Sequence, residues 1–382
     1  MLTKVILHHF KLWKRSCFVL MVLSGIFSFF FLFSDTNPRA FVLKPDFWLK
    51  EQNGFRHLTT VADNAYSCPS FASHQSTTRD VVISSLAIFN DQARMSGHFA
   101  PDSYRFLESF FNTHSAAKVV LFVDERLQKD ESLQDLFDSF YVEVQWVSVT
   151  FPMIAYRFEL YKQYLAANKE NIGRVMIVDL RDSYFLSDPF PYISTSSVSL
   201  HAVGCQGDWG FGKPGWTYGW VQKFFGKNVA LPLANDNYPI LNAGSIFGGI
   251  DQVLGFLNIL VDTIVKSEVG LEKAIFGVDQ AALNVAYYSG IFHKKGIHIQ
   301  LLNEDNSPLT LHIRCYGAYI DCNKKIRSSR GCPIVFMHGY DRHDDLLTFV
   351  EEKSPLPNGW SPSKAGDTIL KGTSTPIDQR VC

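Results

Sequence analysis

The 382-residue chain lacks several features that would assign it quickly. No Cys-x-x-Cys pair occurs, so no paired zinc-ligand spacing is on offer. No Gly-x-Ser-x-Gly elbow is present, which removes the usual mark of a serine hydrolase of the α/β type. Outside the N-terminus there is no long Lys/Arg run, and the formal net charge is −1. A nucleic-acid binder would carry a basic footprint, so no nucleic-acid partner is expected. Paired carboxylates exist, yet none identifies the acid and base of a glycoside hydrolase. Asn-x-Ser/Thr acceptors are also missing, which neither supports nor excludes a luminal location. Internal repeats are absent as well. What is present is an ordinary globular balance, 46 % hydrophobic and 19 % charged, enough for one large core with appendages.

Charge is also missing from one long N-terminal stretch. Cys17 to Phe33 read CFVLMVLSGIFSFFFLF, seventeen uncharged residues, within the length that spans a bilayer as a helix. Lys4, Lys11, Lys14 and Arg15 precede the run, and the first acid of the chain is Asp35. Basic residues stay cytosolic, so the bulk of the chain is expected to face the lumen. A cleaved signal peptide has a shorter apolar region and small residues at its end, neither of which fits here. Residues 1–16 therefore read as a cytosolic tail, 17–33 as an uncleaved transmembrane anchor, and the irregular, Pro-containing stretch 34–79 as a luminal stem. Besides Cys17 the cysteines are Cys68, Cys205, Cys315, Cys322, Cys332 and Cys382, an even number that permits up to three disulfides in an oxidising lumen. The close trio Cys315, Cys322 and Cys332 predicts at least one local bridge.

From Asp80 the pattern turns regular. DVVISSLAIFN (80–90), KVVLFVD (118–124), YVEVQWVSV (141–149) and RVMIVD (174–179) are apolar strand candidates separated by helical stretches near 102–112 and 153–168. Later come VSLHAVG (198–204), ILNAGSIFGG (240–249), helices near 251–265 and from Val278, and PIVFMHG (333–339). Strands alternating with helices predict an α/β domain over 80–350, with a mixed, mainly parallel sheet flanked by helices. Residues 351–382, with Pro355, Pro357, Gly359 and Pro362, read as a C-terminal surface extension.

Open sheets of this kind bind ligands beyond the carboxyl ends of their strands. That rule singles out IVDLRDSYFLSDPF (177–190), where a buried strand delivers Asp179 and Asp182 follows. Carboxylates there suit a divalent ion that neutralises a leaving diphosphate, although a capping Asp with an Arg181 ion pair is the plainer alternative. Asn242-Ala243-Gly244 supplies small residues where backbone can approach a sugar, and Asp279-Gln280 open a helix. FMHGYDRH (336–343) ends a strand with His338, a nitrogen ligand, and Arg342, a cation for phosphate. Arg157 is placed to touch a diphosphate or to pair with a nearby acid. Asp91 and Asp124, after the first two strands, are candidates for base or ribose contacts. Asp188-Pro189 reads as turn chemistry. GDWGFGKPGWTYGW (207–220) alternates Gly with aromatics, either as an acceptor-binding loop or as a loop pinned to the core by its Trp side chains.

Taken in order, these elements resemble GT-A glycosyltransferases, especially glycogenin-like and bacterial galactosyltransferase-like family 8 enzymes and related Golgi families. Those enzymes carry an Asp-x-Asp strand end, an Asn-Ala-Gly strand, an Asp-Gln helix start and a late His-x-Gly or His-Gly element. The resemblance spans roughly residues 80–345. It implies a GT-A-type Rossmann-like fold and transfer of a sugar from a nucleotide-diphosphate sugar to a glycan, glycoprotein or glycolipid in the Golgi or endoplasmic reticulum. It further implies manganese (or magnesium) on Asp179 and His338 and sugar contacts from Asn242 and Asp279-Gln280. With the residue readings above, the metal set is Asp179, Asp182 and His338, and the donor-binding candidates are Asp91, Arg157, Asp179, Arg181, Asn242, Gly244 and Arg342. Asp279, Gln280 and Asp182 are then the catalytic candidates, with nucleophile and base unassigned. One departure stands out: Arg181 occupies the second acid's position and Asp182 follows it. Either Asp182 takes the ligand role through a shifted turn, or Arg181 replaces part of the metal's charge and the protein is a silent luminal carbohydrate-binding relative.

Overall fold

The computed structural model describes residues 75–87, 99–203, 211–212, 215–302, 311–312, 319–328, 331–342, 344–360 and 378–379. Asp91, the stretch expected to cross a membrane and most of the expected stem lie outside these residues. Among the described residues no helix is long and apolar enough to cross a membrane.

The architecture is α/β, built on a seven-stranded, mostly parallel sheet in the order β3-β2-β1-β4-β7-β6-β8. Its strands are β1 (Val81–Leu86), β2 (Lys118–Asp124), β3 (Glu143–Val147), β4 (Arg174–Val178), β6 (Val198–Val203), β7 (Ile240–Gly249) and β8 (Ile299–Leu302). β1, β2, β3 and β4 pair in parallel, while β7 runs antiparallel to both β4 and β6. Their near-continuous Val, Ile and Leu content follows from cover on both faces. On one side α1 (Phe99–Phe111) and α2 (Glu131–Ser139) seal a core containing Phe106, Phe110, Leu121, Phe137 and Met176. The side chains that α1 buries there include Phe106, Leu107 and Phe110, the one-sided spacing of an amphipathic helix. On the other side α3 (Met153–Ala167) packs against α6 (Ile250–Val265), and Tyr161 of α3 meets Phe122 of β2 at 5.2 Å between ring centroids.

A small second sheet joins β5 (Ser183–Phe185) to β12 (Phe336–His338), antiparallel, with β9 (Leu311–His312) parallel on β12's far side. A third sheet contains β10 (Tyr319–Ile320), β11 (Ile326–Arg327) and β13 (Asp378–Gln379). Cys322 and Cys332 are both disulfide-bonded.

Two expected boundaries shift. Residues 75–79, assigned to the stem, are tied to the domain: Gly173 N donates to Arg79 O at 2.7 Å, and Arg174 Nη2 donates to Gln75 O at 2.9 Å. The extension expected to begin at 351 starts inside a helix, because Asp344–Lys353 is continuous and buries Leu346, Phe349 and Val350. Far along that extension, Asp378 and Gln379 add a strand to Tyr319 and Ile320.

Candidate metal centre and its surroundings

The strand order reverses between β1 and β4, since the chain builds outward to β3 and then returns to the other side of β1. Such a switch point opens a crevice beyond the strand ends. Asp179 stands at that point, one residue past β4. Its N–H donates to Gly244 O at 3.0 Å, so the β4–β7 ladder sets Asp179 opposite Gly244. Asp182 comes from the turn into β5, and its carbonyl accepts from Gly339 N at 2.6 Å. His338 ends β12, paired with Ser183 across the small sheet. The turn between the neighbouring strands β4 and β5 and the end of the much later β12 thus converge on one spot.

There, His338 Nε2 lies 3.5 Å from Asp179 Oδ2 and 3.5 Å from Asp182 Oδ1. The three side chains each offer a ligand atom within 4.8 Å of the others. Two oxygens on opposite sides of one ion at about 2.3 Å stand roughly 4.6 Å apart, so the cluster is near the size a divalent ion closes. Two carboxylates with one imidazole are a donor set that can hold a divalent metal ion. Asp182 and His338 are buried, whereas Asp179 is half-buried. Burial alone would lower the pKa of His338, but Asp182 and Asp179 outweigh it and raise it to about 9. Burial opposes charge on Asp179 too, and Arg157 and His338 overcome that to hold it at about 2.

Gly244 completes the cluster by what it omits. A Cβ there would sit 2.5 Å from Asp179 Oδ2 and 2.7 Å from His338 Nε2. No side chain fits beneath this triad.

A second charged group adjoins the first. Arg157, on α3, forms ion pairs with Asp179 and, at 2.8 Å through Nη2, with Asp279 Oδ2. Asp279 lies in the first turn of α7 (Val278–Tyr288), and burial raises its pKa while Arg157 pulls the other way. Gln280 follows, with Nε2 donating to Thr217 Oγ1 at 2.7 Å and Oε1 accepting from Asn242 Nδ2 at 3.4 Å. Asn242 Oδ1 in turn accepts from Gly244 N at 2.8 Å. An unbroken set of contacts therefore runs from Thr217 to the metal-type cluster.

Arg181 is shared between two acids. Its Nη1 donates to Asp341 Oδ2 at 2.8 Å, and its nearest approach to Asp182 among these contacts is 3.9 Å. Asp124 is fully buried at the end of β2, where it accepts from Arg126 N at 3.0 Å and Arg126 Nε at 2.9 Å. Asp188 Oδ1 accepts from Phe190 N at 3.1 Å, a turn-forming bond. Arg342 lies in the short 3₁₀ turn after His338, and Asp91 lies outside the described residues.

Sequence reasoning missed Thr217, Asp341 and Asn284. Asp341 sat in view three residues after His338. Asn284 was legible as a lone amide in the apolar run of α7, and it clamps Leu241 by two bonds of 2.9 Å. Thr217 was hidden because 207–220 read as a loop. In the structure α4 (Trp216–Phe225) begins inside it, followed by α5 (Lys227–Asn235). Comparison with known family models gave no match, and neither did comparison with curated proteins.

Proposed function

We propose that the chain is a metal-dependent glycosyltransferase with a GT-A-type domain, moving a sugar from a nucleotide-diphosphate sugar to a glycan, glycoprotein or glycolipid. The observation that carries this reading is the Asp179–Asp182–His338 cluster at the switch point of a parallel sheet, over a glycine floor. Asp179, Asp182 and His338 would hold manganese or magnesium, which when bound neutralises the charge of a departing diphosphate. Arg157 fixes the orientation of Asp179 and Asp279 at once, and Asn242 and Gln280, bonded to each other, would supply the amide groups for the sugar hydroxyls. In the transfer, the bond from the sugar's anomeric carbon to the diphosphate breaks, and a bond to an acceptor hydroxyl oxygen forms. The nucleoside diphosphate leaves with the electron pair, and its freed oxygen or the solvent takes up the proton that the acceptor hydroxyl loses. The uncharged N-terminal run and disulfide-bonded Cys322 and Cys332 favour a single-pass protein of the Golgi or endoplasmic reticulum with this domain in the lumen.

One contact favours a second reading. Arg157 already pairs with Asp179, so a guanidinium can neutralise the site and leave a silent carbohydrate-binding relative. Calorimetric titration of the full-length chain in detergent with uridine, guanosine and cytidine diphosphates, with and without manganese, separates the two. Manganese-dependent binding of one nucleotide, lost in Asp179→Ala, supports the transferase. A folded chain that binds no nucleotide in either condition overturns the donor site and favours the second reading.

A further inference from the structure

Helix α4 turns two kinds of face outward and inward. Thr217 is buried and holds Gln280 at 2.7 Å, while its neighbour Trp216 is 56 % exposed. Trp220, one turn on, lies 6.2 Å from Trp216 between ring centroids and 5.3 Å from Phe276, itself 58 % exposed. Of the six large apolar side chains exposed among the described residues, Trp216, Ile275 and Phe276 fall in this patch, so it is local rather than one part of an apolar surface.

The patch is built, not incidental. Trp220 packs against Gly277, where a Cβ would stand 2.6 Å from the indole Cγ. Gly277 has φ +90°, a conformation that glycine adopts freely. The same glycine caps α7, which carries Asp279 and Gln280. The aromatic rings are thus fixed to the residues that line the metal-type cluster, two positions away in sequence.

We propose that Trp216, Trp220 and Phe276 form the platform on which a pyranose ring of the acceptor glycan stacks, beside the donor site. This deepens the transferase reading and rests on it. A pyranose has an apolar C–H face and an equatorial rim of hydroxyls. Here the aromatic faces match the apolar part, and Gly277, against which Trp220 packs, leads within three residues to Gln280, whose amide Thr217 holds in place. The rings meet at 49° and 86°, so they present separate faces to successive sugar units rather than one flat apolar sheet.

The test uses the full-length chain in detergent, with cellotetraose and galactotetraose as probes, followed by tryptophan fluorescence and calorimetry. We expect one tetrasaccharide to bind, and Trp216→Ala and Phe276→Ala each to weaken it by roughly tenfold, with manganese-dependent nucleotide binding unchanged within about twofold. No tetrasaccharide binding, or binding indifferent to both variants, overturns the platform while nucleotide binding still reports on the donor site. Tetrasaccharide binding that needs Trp216, in a chain that binds no nucleotide, keeps the platform and removes the transferase. Sedimentation with phosphatidylcholine–phosphatidylserine vesicles is the remaining arm. Trp216-dependent vesicle binding without tetrasaccharide binding overturns the proposal in favour of a membrane contact.

Discussion

Gly244 lies directly beneath His338: a Cβ added to the glycine would stand 2.7 Å from Nε2 of the imidazole. Gly244→Ala should therefore displace the imidazole and Asp179 while leaving strand β7 in place. We expect metal affinity, read by calorimetry with manganese alone, to fall roughly 10–100-fold, as happens when the support of a metal ligand is disturbed. An unchanged affinity in a variant with native circular dichroism would show that Asp179 and His338 do not bind the ion together.

Arg157 ties two acids that burial would otherwise push apart from the charged state. Arg157→Gln leaves both without their cation, and breaking a buried pair costs about 3–5 kcal/mol. The melting temperature should drop in chelator, and manganese should restore more of it in the variant than in the parent. Equal manganese shifts in the two proteins would contradict a shared role for the guanidinium and the ion at Asp179.

At the opposite end of β4, Arg174 and Asp80 form a buried bidentate pair at 2.9 and 2.6 Å, and Arg174 also reaches the carbonyls of Phe190 and Gln75. Asp80→Asn should destabilise the domain by about 3–5 kcal/mol in urea unfolding. A loss under about 1 kcal/mol, the level of a surface pair, would mean the arginine finds equivalent partners elsewhere.

His201 is fully buried in β6, and burial, aided by the charge of His338, lowers its pKa from 6.5 to about 3. The unfolded chain accepts a proton that the folded one refuses, so this group stabilises the fold above the unfolded value and less as pH falls below it. That single proton should remove about 2 kcal/mol between pH 6.5 and 5, near 1.4 kcal/mol per unit. Unfolding curves for the parent and His201→Gln across this range should diverge in slope by about one proton; parallel slopes would rule the histidine out.

Much of the scaffold was legible because its strands are unbroken apolar runs. KVVLFVD matches β2 residue for residue, and ILNAGSIFGG matches β7. Helix α4 was not, because Gly215 and Gly219 among Trp and Tyr side chains carry loop propensities that packing on α7 overrides. Residue types announced Asp179, Asp182 and His338 as possible ligands. Their neighbours are a matter of register. Arg157 and Asp279 lie 122 positions apart, and no local pattern tells which acid a helix arginine will face. Equally, the bond from Arg181 to Asp341 follows from the β5–β12 pairing, which three-residue strands do not advertise.

That pairing also fixes when the cluster exists. A ribosome releases the chain from its N-terminus, and β4, β5 and most of the large sheet emerge long before β12. Until His338 has left the exit tunnel and zipped onto Ser183, the two aspartates stand without the imidazole that completes the cluster. The complete set of two carboxylates and an imidazole is thus one of the last features of the domain to be assembled as the polypeptide is born.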